Sequence, residues 1–176
     1  MKIKKLSTLK ELKDGYEIFR HCMYQPTEEK YRKKMTEWME EKNIIVYAAM
    51  EENRIKGMIV FRFCQDNTAE VMGVAVHTAY RLQGIGSELI RQVAKEYGIE
   101  KIVAETDEQA VLFYRKTGFQ TEKTERKFFE ETVIRYICTW DVTEGKQKRG
   151  EDFIQNPPLF SQLNFKTQIP SNPGPV

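Results

Sequence analysis

VAVHTAYRLQGIGSELI, residues 74–90, decides how this chain is read. A β-branched run ends at Val76, a polar turn follows, and Gly84 and Gly86 open an amphipathic stretch with Ile85, Leu89 and Ile90. A strand, a turn and a helix start in that order make an anion site. The first amides of a helix lack internal partners and sit at the positive end of its dipole. Glycine side chains would not shield them, and Arg81 adds a positive flank. Two common phosphate loops are excluded by the residues that follow. Ser87 and Glu88 stand where a nucleoside-triphosphate loop needs lysine and then serine or threonine, and Leu89 stands where the dinucleotide fingerprint needs its third glycine.

Outward from this turn, the spacing predicts a strand over residues 2–6 and a first helix capped by Ser7, carrying Leu9, Leu12, Tyr16, Ile18, Phe19 and Cys22, with Gly15 interrupting its pattern. A second helix follows Thr27, its Glu28 and Glu29 at the positive end and Tyr31, Met35, Trp38 and Met39 on one face. Residues 44–50, 55–64 and 69–76 are β-rich runs divided by short polar turns, which reads as an antiparallel meander. After the turn, Leu89, Ile90, Val93, Ala94 and Tyr97 form the inner face of a helix stopped by Gly98. A strand over 101–106, a helix over 107–119 ended by Gly118, and a closing pair of strands complete the order. The order β-α-α-β-β-β-α-β-α-β-β predicts an α/β mixed sheet with helices on both faces.

Composition narrows the partners. The 176 residues hold 28 basic and 26 acidic side chains, a formal charge of +2, so no overall field gathers nucleic acid or an anionic membrane. No apolar run reaches bilayer length, and charges interrupt the first residues too often for a signal peptide. The three cysteines, Cys22, Cys64 and Cys138, have neither metal-ligand spacing nor an even count, which fits a reducing, cytoplasmic setting and no metal. Residues 1–143 read as one domain. Residues 144–176 hold five of the six prolines and no sustained periodicity, as in a mobile extension. Within it Phe153, Phe160, Leu163 and Phe165 are anchors suited to docking along the domain or in a homodimer.

Arg81-Leu82-Gln83-Gly84-Ile85-Gly86 resembles the cofactor-binding pattern of the GNAT superfamily of N-acetyltransferases: arginine or glutamine, two residues, glycine, one residue, then glycine or alanine. Val76 and Tyr80 precede it as they often do in that family, and AVLFYRKTGF (110–119) is similar to the family's later tyrosine-bearing helix. The resemblance implies a sheet splayed at a cleft for acetyl-CoA. Backbone groups of Val74, Ala75 and Val76 would pair with the pantetheine arm as an added strand does. Amides from Arg81 through Leu82, Gln83, Gly84, Ile85 and Gly86 to Ser87 would hold the pyrophosphate. Tyr114 matches the tyrosine that protonates the departing thiolate in many members. Asp107 falls where an asparagine commonly touches the cofactor, with an acceptor kept and the amide donor lost. Leu82 and Thr78 replace a common glycine and proline.

The implied reaction is direct transfer from acetyl-CoA to a primary amine of a small molecule, peptide or protein, in a ternary complex. Glu70 stands early on the strand leading to the turn, where family bases often lie, and is the candidate base; Val74 would supply the oxyanion amide. His21 and Cys22 fall on the acceptor side. His77, beside a polar turn, reads as an exposed histidine. A noncatalytic acyl-CoA-binding or sensing module is the alternative, and the sequence names no acceptor.

Overall fold

The β-rich runs form seven strands in a computed structural model that describes residues 1–128 and 131–142: β1 (Lys2–Leu6), β2 (Ile44–Glu51), β3 (Arg54–Phe63), β4 (Thr68–Val76), β5 (Lys101–Thr106), β6 (Gln120–Phe128) and β7 (Glu131–Asp141). The expected extension over 144–176, with its four anchors, lies outside the described residues. The strands make one sheet, ordered β1-β2-β3-β4-β5-β7-β6, antiparallel throughout except for β4 against β5. Glu52 and Asn53 turn β2 into β3 with φ of 48° and 61°, the left-handed pair whose twist suits a two-residue hairpin.

The helices are α1 (Leu9–Leu12), α2 (Tyr16–Phe19), α3 (Glu28–Glu40), α4 (Ile85–Glu96) and α5 (Val111–Thr117). They cover both faces, as the element order predicts. Leu12, Phe19, Tyr31, Met35 and Trp38 close one face over Val46, Ala48, Met58 and Val60. Ile85, Leu89, Ile90 and Val93 close the other over Ile59, Phe61, Ala69 and Ile102. Tyr97 departs from its expected inner position: it is 39% exposed, its ring against Phe63 at 4.9 Å and its hydroxyl 3.1 Å from that of Tyr47.

The expected first helix is broken in two by a 3-10 turn at Lys13–Gly15. The Tyr31 hydroxyl donates to the Leu12 carbonyl at 2.8 Å, the acceptor that an unbroken helix would offer to Tyr16. That hydroxyl and the Met58 sulfur occupy the space a β-carbon on Gly15 would need. The cap is also one residue later than Ser7. Thr8 Oγ1 accepts from the Glu11 amide at 3.3 Å, while Glu11 Oε2 accepts from the Ser7 and Thr8 amides at 3.0 and 3.2 Å, a reciprocal capping box.

Lys4 Nζ, 2.7 Å from Glu11 Oε1, and the Ser7 amide hold the Glu11 carboxyl down at about 2, against an ordinary 4.5. A lowered carboxyl contributes stability that is complete above 4.5 and lost as pH falls through about 2. Glu11→Gln should therefore flatten the decline in melting temperature across that window. Coincident acid limbs in the two proteins would remove Glu11 from the acid response.

What positions the site is a parting of strands. β4 and β5 pair only from Thr68↔Lys101 to Glu70↔Val103, after which β4 stays with β3 and β5 with β7. The divergence begins at a bulge: Val60 pairs with Gly73 and Phe61 with Val71, leaving Met72 extra on β4. An extra residue bends its strand and increases local twist.

Candidate active site

The parted strands line a cleft of about 880 Å³ whose walls include Glu70, Val74, Gly84, Glu105, Tyr114 and Arg135. One wall is the free edge of β4. The His77 amide donates to the Lys56 carbonyl at 2.8 Å, which sets the alternation of the antiparallel pair. By that alternation the backbone of Ala75 faces β3, while that of Val74 and Val76 faces the cleft. Side chains already find those carbonyls: Cys22 Sγ donates to Val74 O at 3.4 Å and Arg81 Nε to Val76 O at 3.2 Å. Of the three residues expected to pair with an added strand, two offer their backbone groups.

The turn ends at α4, whose twelve residues begin behind Gly84 in the left-handed region, φ 80°. Nothing lies within 4 Å of a β-carbon built there, so this glycine answers to conformation. Gly86 answers to space: its β-carbon would stand 2.9 Å from the Phe113 ring, so it lets α5 approach. Both glycines were expected to clear the helix start of side chains; Gly84 stands in open space there, and Gly86 serves helix packing. Ser87 likewise spends its hydroxyl on Thr117, 2.8 Å away on α5. Gln83 Nε2 reaches the Ala79 carbonyl at 3.4 Å. Leu82 is the odd member of the turn, with φ 63° and its side chain wholly exposed. A left-handed leucine costs about 1–2 kcal/mol, against roughly 0.5–1 kcal/mol of added chain entropy for glycine. Leu82→Gly should therefore leave stability unchanged or raise it by up to about 1.5 kcal/mol; denaturant titration reads this, and a clear loss would mean that the leucine packs on something.

Tyr114 is buried on α5 between aromatic rings, Phe113 at 5.1 Å and Phe119 at 5.2 Å. Its hydroxyl opens on the cleft and meets no hydrogen-bond partner among the described residues. Burial pushes the phenol above its ordinary value, and the nearby Cys22, Cys138 and Asp107 add to this. The helix expected from residue 107 begins only at Val111, because Asp107 Oδ1 accepts from the Gln109 and Ala110 amides, both at 3.0 Å, and holds a turn there. That oxygen is committed to the protein. His77 Nδ1 accepts from the Ala79 amide at 3.2 Å and caps a turn. Burial pushes the Cys22 thiol up to about 12, so it is a neutral donor near neutral pH. Burial, then Arg81 and Arg20, lower His21 at the cleft mouth.

On the face covered by α1, α2 and α3, strand pairing sets a row of charges across the cleft floor. Glu70 is directly opposite Arg62, and the two side chains meet at 3.3 Å. Two positions past Val103, the strand partner of Glu70, stands Glu105, reached by Arg135 Nε at 3.1 Å and Arg126 Nη2 at 3.4 Å. Burial raises the Glu70 carboxyl, Arg62 opposes this, and Glu105 adds to it. Tyr114 belongs to the opposite face. The gap between β4 and β5 is where the two faces meet. Glu105, Arg135 and Arg62 were not among the residues marked from sequence; the available signal was a charge inside each apolar run, KIVAET and TVIRYIC on either side of the cleft floor.

Comparison with known proteins bears on this geometry. The model of the acetyltransferase (GNAT) family matches residues 12–119. Among solved structures, aminoglycoside 6'-acetyltransferase type Ii superposes with a TM-score of 0.67 at 19% identity, covering 80% of this chain and 97% of that one. The ribosomal-protein-S18-alanine N-acetyltransferase of Escherichia coli gives 0.62 at 16%, covering 80% and 93%. The ribosomal-protein-alanine N-acetyltransferase of Brucella melitensis gives 0.61 at 17%, covering 81% and 100%. At these identities the likeness is one of fold.

Proposed function

The chain belongs to the GNAT acetyltransferase family, and on that premise we propose that it carries an acetyl group from acetyl-CoA to a primary amine of a small molecule, peptide or protein within one ternary complex. The observation that supports this best is that Glu70 and Tyr114, from opposite faces of the sheet, both line one cleft beside a helix start. A binding module needs the helix start and the free strand edge. It has no use for a carboxylate and a phenol aimed at the same gap.

The residues divide the work. Val74 and Val76 offer the pantetheine amides a strand edge. The amides of Ile85, Gly86 and Ser87, with Arg81 beside them, suit the pyrophosphate. Glu70, whose Oε1 has no partner among the described residues, takes a proton from the incoming ammonium, directly or through water. The Val74 amide, turned to the cleft, donates to the oxygen that gains charge as the amine adds to the thioester. Tyr114 donates to the sulfur as it leaves.

The test is release of free CoA thiol when acetyl-CoA meets a panel of amines. Turnover with any amine supports transfer. Tight CoA binding with no turnover across a broad panel would favour an acyl-CoA sensing module instead.

A further inference from the structure

A guanidinium in the cleft wall points to the kind of acceptor. Arg135 stands on β7 just beyond the last residue pairing with β5, Thr106↔Tyr136, and its side chain lines the cleft. It is 9% exposed. Its Nε is bound to Glu105 Oε1 at 3.1 Å, and neither terminal nitrogen has a hydrogen-bond partner among the described residues. Among the described residues no buried side-chain nitrogen is left without a partner, so these two nitrogens open on the cleft, where the rigid fork presents them side by side. An anionic group brought by a substrate would occupy these unused donors.

We propose that the acceptor is a small amine bearing a carboxylate, with Arg135 receiving the carboxylate while the amine lies between Glu70 and the thioester. The inference rests on the transfer reading above. Two features select a carboxylate. It is planar and suits the two terminal guanidinium nitrogens. Glu105 holds Nε and so fixes the plane in which those nitrogens are presented. Arg135 also lies close enough to Tyr114 for its charge to act on that phenol, which places the anion subsite next to the reacting groups.

The test sets each acceptor against its neutral amide: glycine and glycinamide, β-alanine and β-alaninamide, L-alanine and L-alaninamide, 4-aminobutyrate and its amide, read by CoA thiol release. With the wild-type protein, at least one carboxylate should exceed its amide by about 10- to 100-fold in kcat/KM, the worth of a charged hydrogen-bonding pair. Aminomethylphosphonate should fall below the best carboxylate. In Arg135→Gln that preference should collapse toward one, through acceptor KM more than kcat, and Arg135→Lys should restore part of it. Thermal melting checks folding, and Glu105→Gln/Arg135→Gln repeats the measurement without an orphaned carboxylate. Amides turned over as well as carboxylates by the wild type would overturn the inference and leave acetyl transfer standing. A rise confined to acetyl-CoA KM in Arg135→Gln would assign the guanidinium to the donor and overturn it too. No turnover with any amine would overturn both readings.

Discussion

Tyr114→Phe is expected to bind acetyl-CoA with nearly wild-type affinity and to turn over about 10²-fold more slowly. The substitution removes one oxygen and keeps the ring. The ring is held by Phe113 and Phe119, and no hydrogen bond among the described residues is lost, so the melting temperature should barely move. Affinity should persist because the proposed reading gives the donor's phosphates and amides to the start of α4 and the edge of β4. The rate should suffer because, on the same reading, a thiolate leaves beside this hydroxyl. Even an ordinary phenol, near 10, gives its proton uphill by roughly 2 kcal/mol to a thiolate whose thiol titrates near 8.5. Burial moves this phenol further up. Tyr114 therefore stabilises developing charge through a hydrogen bond and does not complete an early transfer, which keeps the expected loss near 10² and not far beyond. Steady-state kinetics with a thiol readout measure it. Full turnover in the variant would dismiss Tyr114 from the reaction.

The turn around Gly84 was legible in sequence because its physics is local: a positive φ, a helix start and the absence of a lysine all lie within a dozen residues. The strands were legible for the same reason, since runs rich in β-branched and apolar residues and the Glu52-Asn53 turn need no distant partner. The broken first helix was not. It depends on Tyr31, in another helix, taking the Leu12 carbonyl. The separate duties of Gly84 and Gly86 were hidden in the same way, because Phe113 must be in place before Gly86 has a neighbour. The charge row on the floor is the extreme case. Its members come from β3, β4, β5, β6 and β7, and only the pairing registers show that Arg62, Glu70, Glu105 and Arg135 share one face. The half of the site proposed for the donor is thus written in consecutive residues, and the half proposed for the acceptor in strand pairing.

Glu70→Gln should lower kcat by about 10²- to 10³-fold while leaving acetyl-CoA affinity and the fold intact. An alkyl ammonium titrating near 10.4 is neutral in about one molecule in a few thousand at pH 7, a cost of roughly 4–5 kcal/mol that a base must offset. Glutamine keeps an oxygen for the Arg62 hydrogen bond at 3.3 Å but cannot accept the proton. The pH profile separates a base from a bystander. Burial raises the Glu70 carboxyl above 4.5 despite Arg62, so the acid limb of kcat/KM should lie above the ordinary carboxylate range and vanish in the variant. Stability should move the opposite way. A raised carboxyl favours the folded state most when protonated, and this contribution is lost as pH rises from 4.5 through the raised value. Glutamine stays neutral, so the melting temperature of the variant relative to wild type should climb across that window. Activity that falls while relative stability rises is the signature of a carboxylate kept for chemistry; an unchanged acid limb in Glu70→Gln would assign the base to another group.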